Sequence, residues 1–203
     1  MDIEDAPMDL NLMTMDKANE MKNLIIPTVD KDAAKKMEEM VLSLKAELDS
    51  AGGVIECAIM NMEKGIGNPI FDAFESRLAS LIFSVPAVKG LEFGEGFNVT
   101  KLKGSQANDS LYTDGENIYI KTNHDGGING GITNGMPIVF RTAIKPTASI
   151  SREQDSVNFV EKTNEKLVIK GRHDACICVR AVSVIDACAA LCAFDYLVEA
   201  KKF

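Results

Sequence analysis

From Asp30 onward the apolar positions fall on a helical period: Met37, Val41, Leu44 and Leu48 repeat at i, i+4, i+7 and i+11 and share one face. Asp49-Ser50-Ala51-Gly52-Gly53 predicts the end of that helix, because glycine is the usual residue just past a helix C-terminus. Residues 54–60 then read as a strand and Gly65-Ile66-Gly67-Asn68-Pro69 as a turn. A second amphipathic helix follows over about 71–83, closed by Pro86, and residues 87–93 read as strand. Strand, helix, strand predicts a mixed α/β class with helices packed against a sheet.

The pattern changes at Gly94. From there to Gly135 the chain is dense in Gly, Asn, Asp and Ser, centred on His124-Asp125-Gly126-Gly127-Ile128-Asn129-Gly130-Gly131-Ile132-Thr133-Asn134-Gly135. A loop of this length inside a compact domain is usually functional or disordered. Residues 137–144 and 167–170 read as further strands, and a helix is expected over about 184–200. Cys188, Leu191, Cys192, Phe194 and Tyr196 are the candidates for its buried surface. Ahead of all this, residues 1–29 are methionine-rich and weakly patterned, with Pro7 and Pro27 as breakers. They read as an arm preceding a single domain over 30–203.

Composition narrows the function class. Apolar residues make up 46% and charged residues 26%, ordinary values for a soluble globular protein. No uninterrupted apolar run reaches the roughly 20 residues of a membrane span. The acidic start Met1-Asp2-Ile3-Glu4-Asp5 has no signal-peptide character, so a cytoplasmic protein is expected. Five cysteines is an odd number without framework spacing, and free thiols fit better than disulfides. A net charge of −8 argues against nucleic acid or an anionic membrane as a partner. It does not argue against a small anionic ligand, which feels a local pocket.

Three segments could carry chemistry. The double Gly-Gly loop can expose backbone N–H groups and admit a phosphate or flat ring, or be a glycine-rich surface loop. It is neither a P-loop nor a dinucleotide fingerprint, since no Gly-Lys-Ser/Thr and no strand–GxGxxG–helix context accompany it. Lys145-Pro146-Thr147-Ala148-Ser149, at a strand end, sets a lysine beside two hydroxyls. That suits an anion or a heterocycle carbonyl, or is a plain strand exit. Gly171-Arg172-His173-Asp174 offers an arginine for phosphate or carboxylate and a His–Asp pair for protons. On an extended chain Arg172 and Asp174 share a face and His173 takes the other. No metal site is expected, because Cys176-x-Cys178 lacks a second pair and His124 gives no ligand spacing.

Order and spacing add what no single segment does. The run from Gly126 to Gly135, then Lys145-Pro146-Thr147-Ala148-Ser149-Ile150, then Gly171-Arg172-His173-Asp174-Ala175-Cys176-Ile177-Cys178 closely resembles the C-terminal signature of chorismate synthases. Pro86-Ala87-Val88-Lys89-Gly90, Gly104-Ser105-Gln106-Ala107-Asn108-Asp109 and Gly65-Ile66-Gly67-Asn68-Pro69 match the same family in order. The resemblance runs from about residue 30 to the end. It implies a mixed α/β sandwich with helices packed on antiparallel sheet, here incomplete. It also implies the activity: 1,4-anti elimination of phosphate from 5-enolpyruvylshikimate 3-phosphate, with reduced FMN required. Carried over by motif, the FMN contacts are Pro86, Ala87, Gly130, Lys145, Pro146, Thr147, Ala148, Ser149 and Arg172. Asp174 lies beside the flavin and assists proton removal.

The departures are equally specific. The family carries proline where this chain has Ala175 and Ser183. Its amino-terminal half, with a Glu-Ser-His-Gly motif, a second histidine and substrate-binding arginines, has no counterpart here, and His124 and His173 are the only histidines. An elimination that expels phosphate needs a general acid and charge neutralisation. The resemblance therefore implies a truncated or split enzyme, partnered by its own copies as a homo-oligomer or by an amino-terminal half on another chain. The alternatives are a non-catalytic flavin- or phosphate-binding remnant or assembly partner, and a structural relic.

Overall fold

The computed structural model describes residues 9–10 and 13–201. Its helices are α1 (Met15–Lys22), α2 (Lys31–Ala46), α3 (Phe74–Ser84), α4 (Gly104–Ala107) and α5 (Cys178–Ala200). Its longer strands are β1 (Gly53–Ile59), β2 (Val88–Phe93) and β7 (Ile138–Ile144). The shorter ones are β3 (Leu111–Thr113), β4 (Ile118–Ile120), β5 (Ile128–Asn129), β6 (Ile132–Thr133), β8 (Gln154–Asn158) and β9 (Thr163–Leu167). The class is mixed α/β, as expected. The chain divides into two compact units, one running to Gly53 and resuming over Ile144–Val182, the other comprising Val54–Ala143 and the chain from Ser183 onward.

In the first unit α2 begins where the sequence places it. The Asp30 carboxylate accepts from the backbone N–H of Asp32 at 2.8 Å and Ala33 at 3.1 Å, satisfying donors that a helix start leaves unpaired. Its end differs from expectation. The helix stops at Ala46, and Leu48, not a glycine, takes the left-handed conformation with φ 61°. Asp49 N–H reaches Leu44 O at 2.9 Å and Leu48 N–H reaches Lys45 O, the double bond pattern of a Schellman end. Of the predicted face, Leu44 is buried, Met37 and Val41 are half-buried, and Leu48 lies outside the helix, exposed.

Ahead of α2, where the sequence predicts no element, α1 forms under a Thr14 cap and buries none of its residues. Pro7 and the acidic start lie outside the described residues. The strand predicted at 167–170 is displaced. Leu167 instead ends β9, which pairs antiparallel with β8 from Gln154↔Leu167 to Asn158↔Thr163. Every side chain of β9 is exposed. The hairpin is held by backbone pairing and by a turn in which Asn158 Oδ1 accepts from the N–H of Val160 and Glu161.

The second unit centres on a three-stranded sheet of order β1-β7-β2. Along β7 the buried positions Ile138, Phe140, Thr142 and Ile144 alternate with half-buried ones, the period of a strand with one face inside. Helix α3 packs on β2 and buries Phe74, Leu78 and Ile82. Helix α5 contributes Ile185, Ala189, Cys192, Ala193 and Tyr196. The Phe74 and Tyr196 rings stack at 4.8 Å, and the Tyr196 hydroxyl donates to Asp72 O at 2.6 Å. Arg77 lies over the Tyr196 ring and bonds Asp195 and Glu199.

Two expectations for α5 are corrected. Leu191 and Phe194, predicted buried, are 61% and 67% exposed, and Cys188 is only half-buried. The helix also begins at Cys178 rather than near 184, and at 23 residues it is long and apolar enough to cross a membrane by length and composition. Its face of Ile185, Cys192 and Tyr196 is instead that of a core helix.

The 94–135 segment is not one irregular loop. It holds a 3-10 helix over Gly96–Lys101, α4, and the antiparallel hairpins β3–β4 and β5–β6.

Candidate functional site

In the first unit the segment from Lys145 to Ser149 leaves β7 and is fastened by Ser50, whose hydroxyl donates to Thr147 O at 2.7 Å. Lys145, Pro146 and Ala148 are exposed, and Thr147 and Ser149 are half-buried. Among the described residues, the Thr147 Oγ1 is buried without a hydrogen-bond partner. A buried hydroxyl left in that state costs roughly 1–3 kcal/mol. In a cation-flanked loop it marks a place where a ligand atom can be received.

Arg172 and His173 line a groove together with Lys45, Asp49, Ser151 and Ala175. It encloses about 210 Å³, below the ~300–1,000 Å³ usual for a cofactor pocket. Asp49 is held by Arg152 at 2.9 Å, and His173 Nε2 sits 3.2 Å from Ile169 O. Asp174 turns to Arg180, with which it forms an ion pair. Arg172 and Asp174 thus have different surroundings, the groove for one and Arg180 for the other. Residues 172–174 are not in a strand, so strand alternation does not govern them. Of the predicted site residues, the groove is lined by Arg172 alone.

Pro86, Ala87 and Gly130 belong to the second unit. Pro86 is exposed, and Ala87 is half-buried with φ 72°, a left-handed backbone that a residue with a Cβ rarely adopts. Such strain concentrates at functional positions. Gly130 is exposed at φ 59°, with open space where a Cβ would stand. Gly126 and Gly127 of the loop do not present their backbone to a ligand. Both are buried, and a Cβ on Gly127 would stand 2.5 Å from Pro137 O. Close backbone packing, not ligand approach, explains them.

Two charged clusters went unread in the sequence. In the second unit Asp109 accepts from Thr122 Oγ1 and from the N–H of His124 and Asp125. Burial works to raise its carboxyl, but those hydrogen bonds and the His124 ring overcome it and hold it below the usual range. Arg141 on β7 bonds Glu92 on β2 at 2.7 Å and reaches Glu56 on β1 at 3.7 Å, a ladder across the sheet. Burial likewise opposes ionisation of Glu92, and the Phe97 N–H and Arg141 outweigh it and lower its pKa. No spacing signal announces either, since their members lie far apart in sequence. The thiols of Cys57 and Cys192 are pushed up to about 12, chiefly by burial. Among the described residues no group of three or more His, Cys, Asp or Glu could hold a metal ion.

Fold and site define an α/β protein with a cationic, hydroxyl-bearing segment suited to an anionic small molecule. The family model described as chorismate synthase matches residues 4–198, and the chain belongs to that family. It is 46% identical over 200 residues to a chorismate synthase from Synechocystis sp., covering 98% of this chain and 54% of the relative. It is 45% identical over 170 residues to one from Methanobrevibacter smithii, covering 84% and 47%. A crystal structure of chorismate synthase superposes with a TM-score of 0.71 at 26% identity, covering 90% of this chain and 48% of that one. The chain thus spans about half the length of the curated relatives it matches.

Proposed function

We propose that this chain is the carboxy-terminal portion of a chorismate synthase, and that it acts together with the family's amino-terminal half. The substrate is 5-enolpyruvylshikimate 3-phosphate, converted to chorismate and phosphate by 1,4-anti elimination. The observation that carries this reading is the family match over residues 4–198.

The residues present fit reduced FMN, which when bound supplies the electron-rich ring and N5 position the family uses for proton removal. Lys145 and Arg172 are exposed cations for its phosphate or ring carbonyls, with Pro146, Thr147, Ala148 and Ser149 beside them. The orphaned Thr147 Oγ1 gives the hydroxyl a ligand atom would use. For Pro86, Ala87 and Gly130 the support is the family motif, strengthened by the strained backbone at Ala87. Asp174, steadied by Arg180, is the proton-transfer residue.

The need for a second half is physical as well as comparative. Val184, Ala187, Leu191, Phe194 and Val198 alternate three and four apart along α5, the spacing of a helix–helix seam. Val184, Leu191 and Phe194 are 45%, 61% and 67% exposed, on the side of the helix opposite Ile185, Ala189, Cys192 and Tyr196. A contiguous apolar stripe left facing solvent marks a surface that another segment covers. The relatives, about twice as long, have the chain to cover it. Five free thiols support a reducing, cytoplasmic setting.

The test is an anaerobic assay with reduced FMN and 5-enolpyruvylshikimate 3-phosphate, using this chain, a family amino-terminal half, and both together. Chorismate only from the mixture supports the reading. Chorismate from this chain alone removes the need for the other half, and assembly through copies of itself would then cover α5. Flavin binding without turnover in any mixture leaves a flavin-binding remnant.

A further inference from the structure

The last four residues between α2 and β1 touch both segments that carry the first unit's site residues. Ser50 donates its hydroxyl to Thr147 O at 2.7 Å. Its neighbour reaches the other segment: Ala51 N–H donates to Ala175 O at 2.8 Å, and Ala51 pairs with Cys176 in a parallel bridge. Gly52 then passes so close to the exit of β7 that a Cβ on it would stand 2.1 Å from Ile144 O and 3.0 Å from Pro146 N. Asp49 braces the connector from the other end. Its carboxylate accepts from the Ser50 N–H at 2.8 Å and from Arg152 at 2.9 Å.

The Ser50 contact serves neither the end of α2 nor the core. The helix closes on the N–H groups of Leu48 and Asp49 without it, and both Ser50 and Thr147 are only half-buried. What it fixes is a relative position. Thr147 carries the buried, unpartnered Oγ1, and its carbonyl is the one Ser50 holds. Ala175 directly follows Asp174, and its carbonyl is the one Ala51 holds. Two adjacent residues therefore grip the lysine-bearing loop and the neighbour of the proton-transfer residue. A displacement of about 1 Å in such an arrangement can cost ~100-fold in rate, because reacting groups must meet in a narrow range of geometry.

We propose, on the function proposed above, that Ser50 is a positioning residue: by holding Thr147 O it sets the loop of Lys145 and Thr147 against the Asp174 segment, which Ala51 holds beside it. Ser50 acts through Thr147 and transfers no proton itself. Without its hydroxyl the Thr147 carbonyl is released and the loop is free to shift, although Lys145, Thr147, Arg172 and Asp174 all remain.

The test compares the parent chain with Ser50→Ala and Ser50→Thr, each mixed with the family's amino-terminal half and held below the melting temperature of every variant. Ser50→Ala should weaken FMN binding roughly 5–10-fold, the worth of one hydrogen bond. It should also lower kcat at saturating flavin on the order of tenfold, with the KM for 5-enolpyruvylshikimate 3-phosphate unchanged. Ser50→Thr keeps the hydroxyl and should restore both values. In the absence of flavin, amide hydrogen exchange at residues 147–149 should quicken in Ser50→Ala and hold the parent rate in Ser50→Thr. A serine with a structural role alone would change the melting temperature and leave flavin affinity and kcat as they were, and that result overturns the proposal. Exchange unchanged in Ser50→Ala overturns it too, because the loop is then held without the hydroxyl. A parent chain that binds no flavin in the mixture overturns the function proposed above, and the role of Ser50 with it, so the two failures are told apart by the parent alone.

Discussion

The Arg180 guanidinium, in the first turn of α5, is ion-paired with the carboxylate of Asp174. The residue the family motif assigns to proton transfer is thus oriented by a cation six positions further along the chain. Both side chains are substantially exposed, at 75% and 43%. Removing the pair should therefore cost the fold no more than about 1 kcal/mol. Its effect should fall on chemistry. With the amino-terminal half present, Asp174→Asn should lower kcat by on the order of 100-fold or more, with FMN affinity little changed. Arg180→Ala should give a smaller fall in kcat. Loss of FMN binding in Asp174→Asn would instead make Asp174 a binding residue.

Leu48 supplies a stability test. Its φ of 61° strains any residue with a Cβ, and at 55% exposure its side chain contributes little burial. Leu48→Gly should raise stability by about 0.5–1 kcal/mol, read as a higher urea midpoint at unchanged slope. A lower midpoint would mean that the leucine's contacts outweigh the backbone strain.

These two positions also show what was legible in the sequence. The α2 start and the β7 strand were readable because apolar period and capping chemistry agree at Asp30, Leu44, Ile138 and Phe140. The α2 end was not, since a leucine does a glycine's work and nothing in residue type marks it. The β8–β9 hairpin was missed because residues 163–167 bury no side chain and so leave no period-2 apolar signal. On α5 the inner and outer faces were indistinguishable, both being apolar, so Leu191 and Phe194 were placed inside. The motif residues of the site were legible as types in order. Their division between two compact units was not, because only tertiary contacts decide it. Nor was the turn of Asp174 towards Arg180.

The outer face of α5 separates core from seam. Leu191→Gln should change the stability of the isolated chain by no more than about 0.5 kcal/mol, since the residue is mostly exposed. It should abolish association with the amino-terminal half by size-exclusion chromatography. Ile185→Ala on the buried face should instead cost about 2–5 kcal/mol. Undiminished association of Leu191→Gln would move the seam elsewhere.

Acid should unfold the second unit through Asp109 and Glu92. Both carboxyls are held below their ordinary values of 3.8 and 4.5 in the folded chain. A depressed folded pKa contributes stability that is complete above the unfolded value and is lost as pH falls through the folded one. Stability should thus begin to fall below about pH 4.5. Asp109→Asn should destabilise at pH 7 and differ progressively less from the parent chain as pH drops. A constant difference across that range would assign the loss to altered hydrogen bonding rather than to charge.

Thr147 tests the flavin assignment with opposite signs in two measurements. Its hydroxyl is buried without a partner, so Thr147→Val, nearly isosteric, removes an unsatisfied polar atom. The ligand-free chain should be as stable as before, or more stable by up to about 1 kcal/mol. If the hydroxyl serves FMN, the same change should weaken flavin binding by roughly 5–10-fold, the loss of one hydrogen bond, measured by fluorescence titration with both halves present. Lys145→Met should weaken binding too, with little effect on stability, because the lysine is exposed. A stabilised Thr147→Val variant with unchanged flavin affinity would show that the orphaned hydroxyl belongs to the fold alone, and the cofactor contact in this loop would then rest on Lys145 and Ser149.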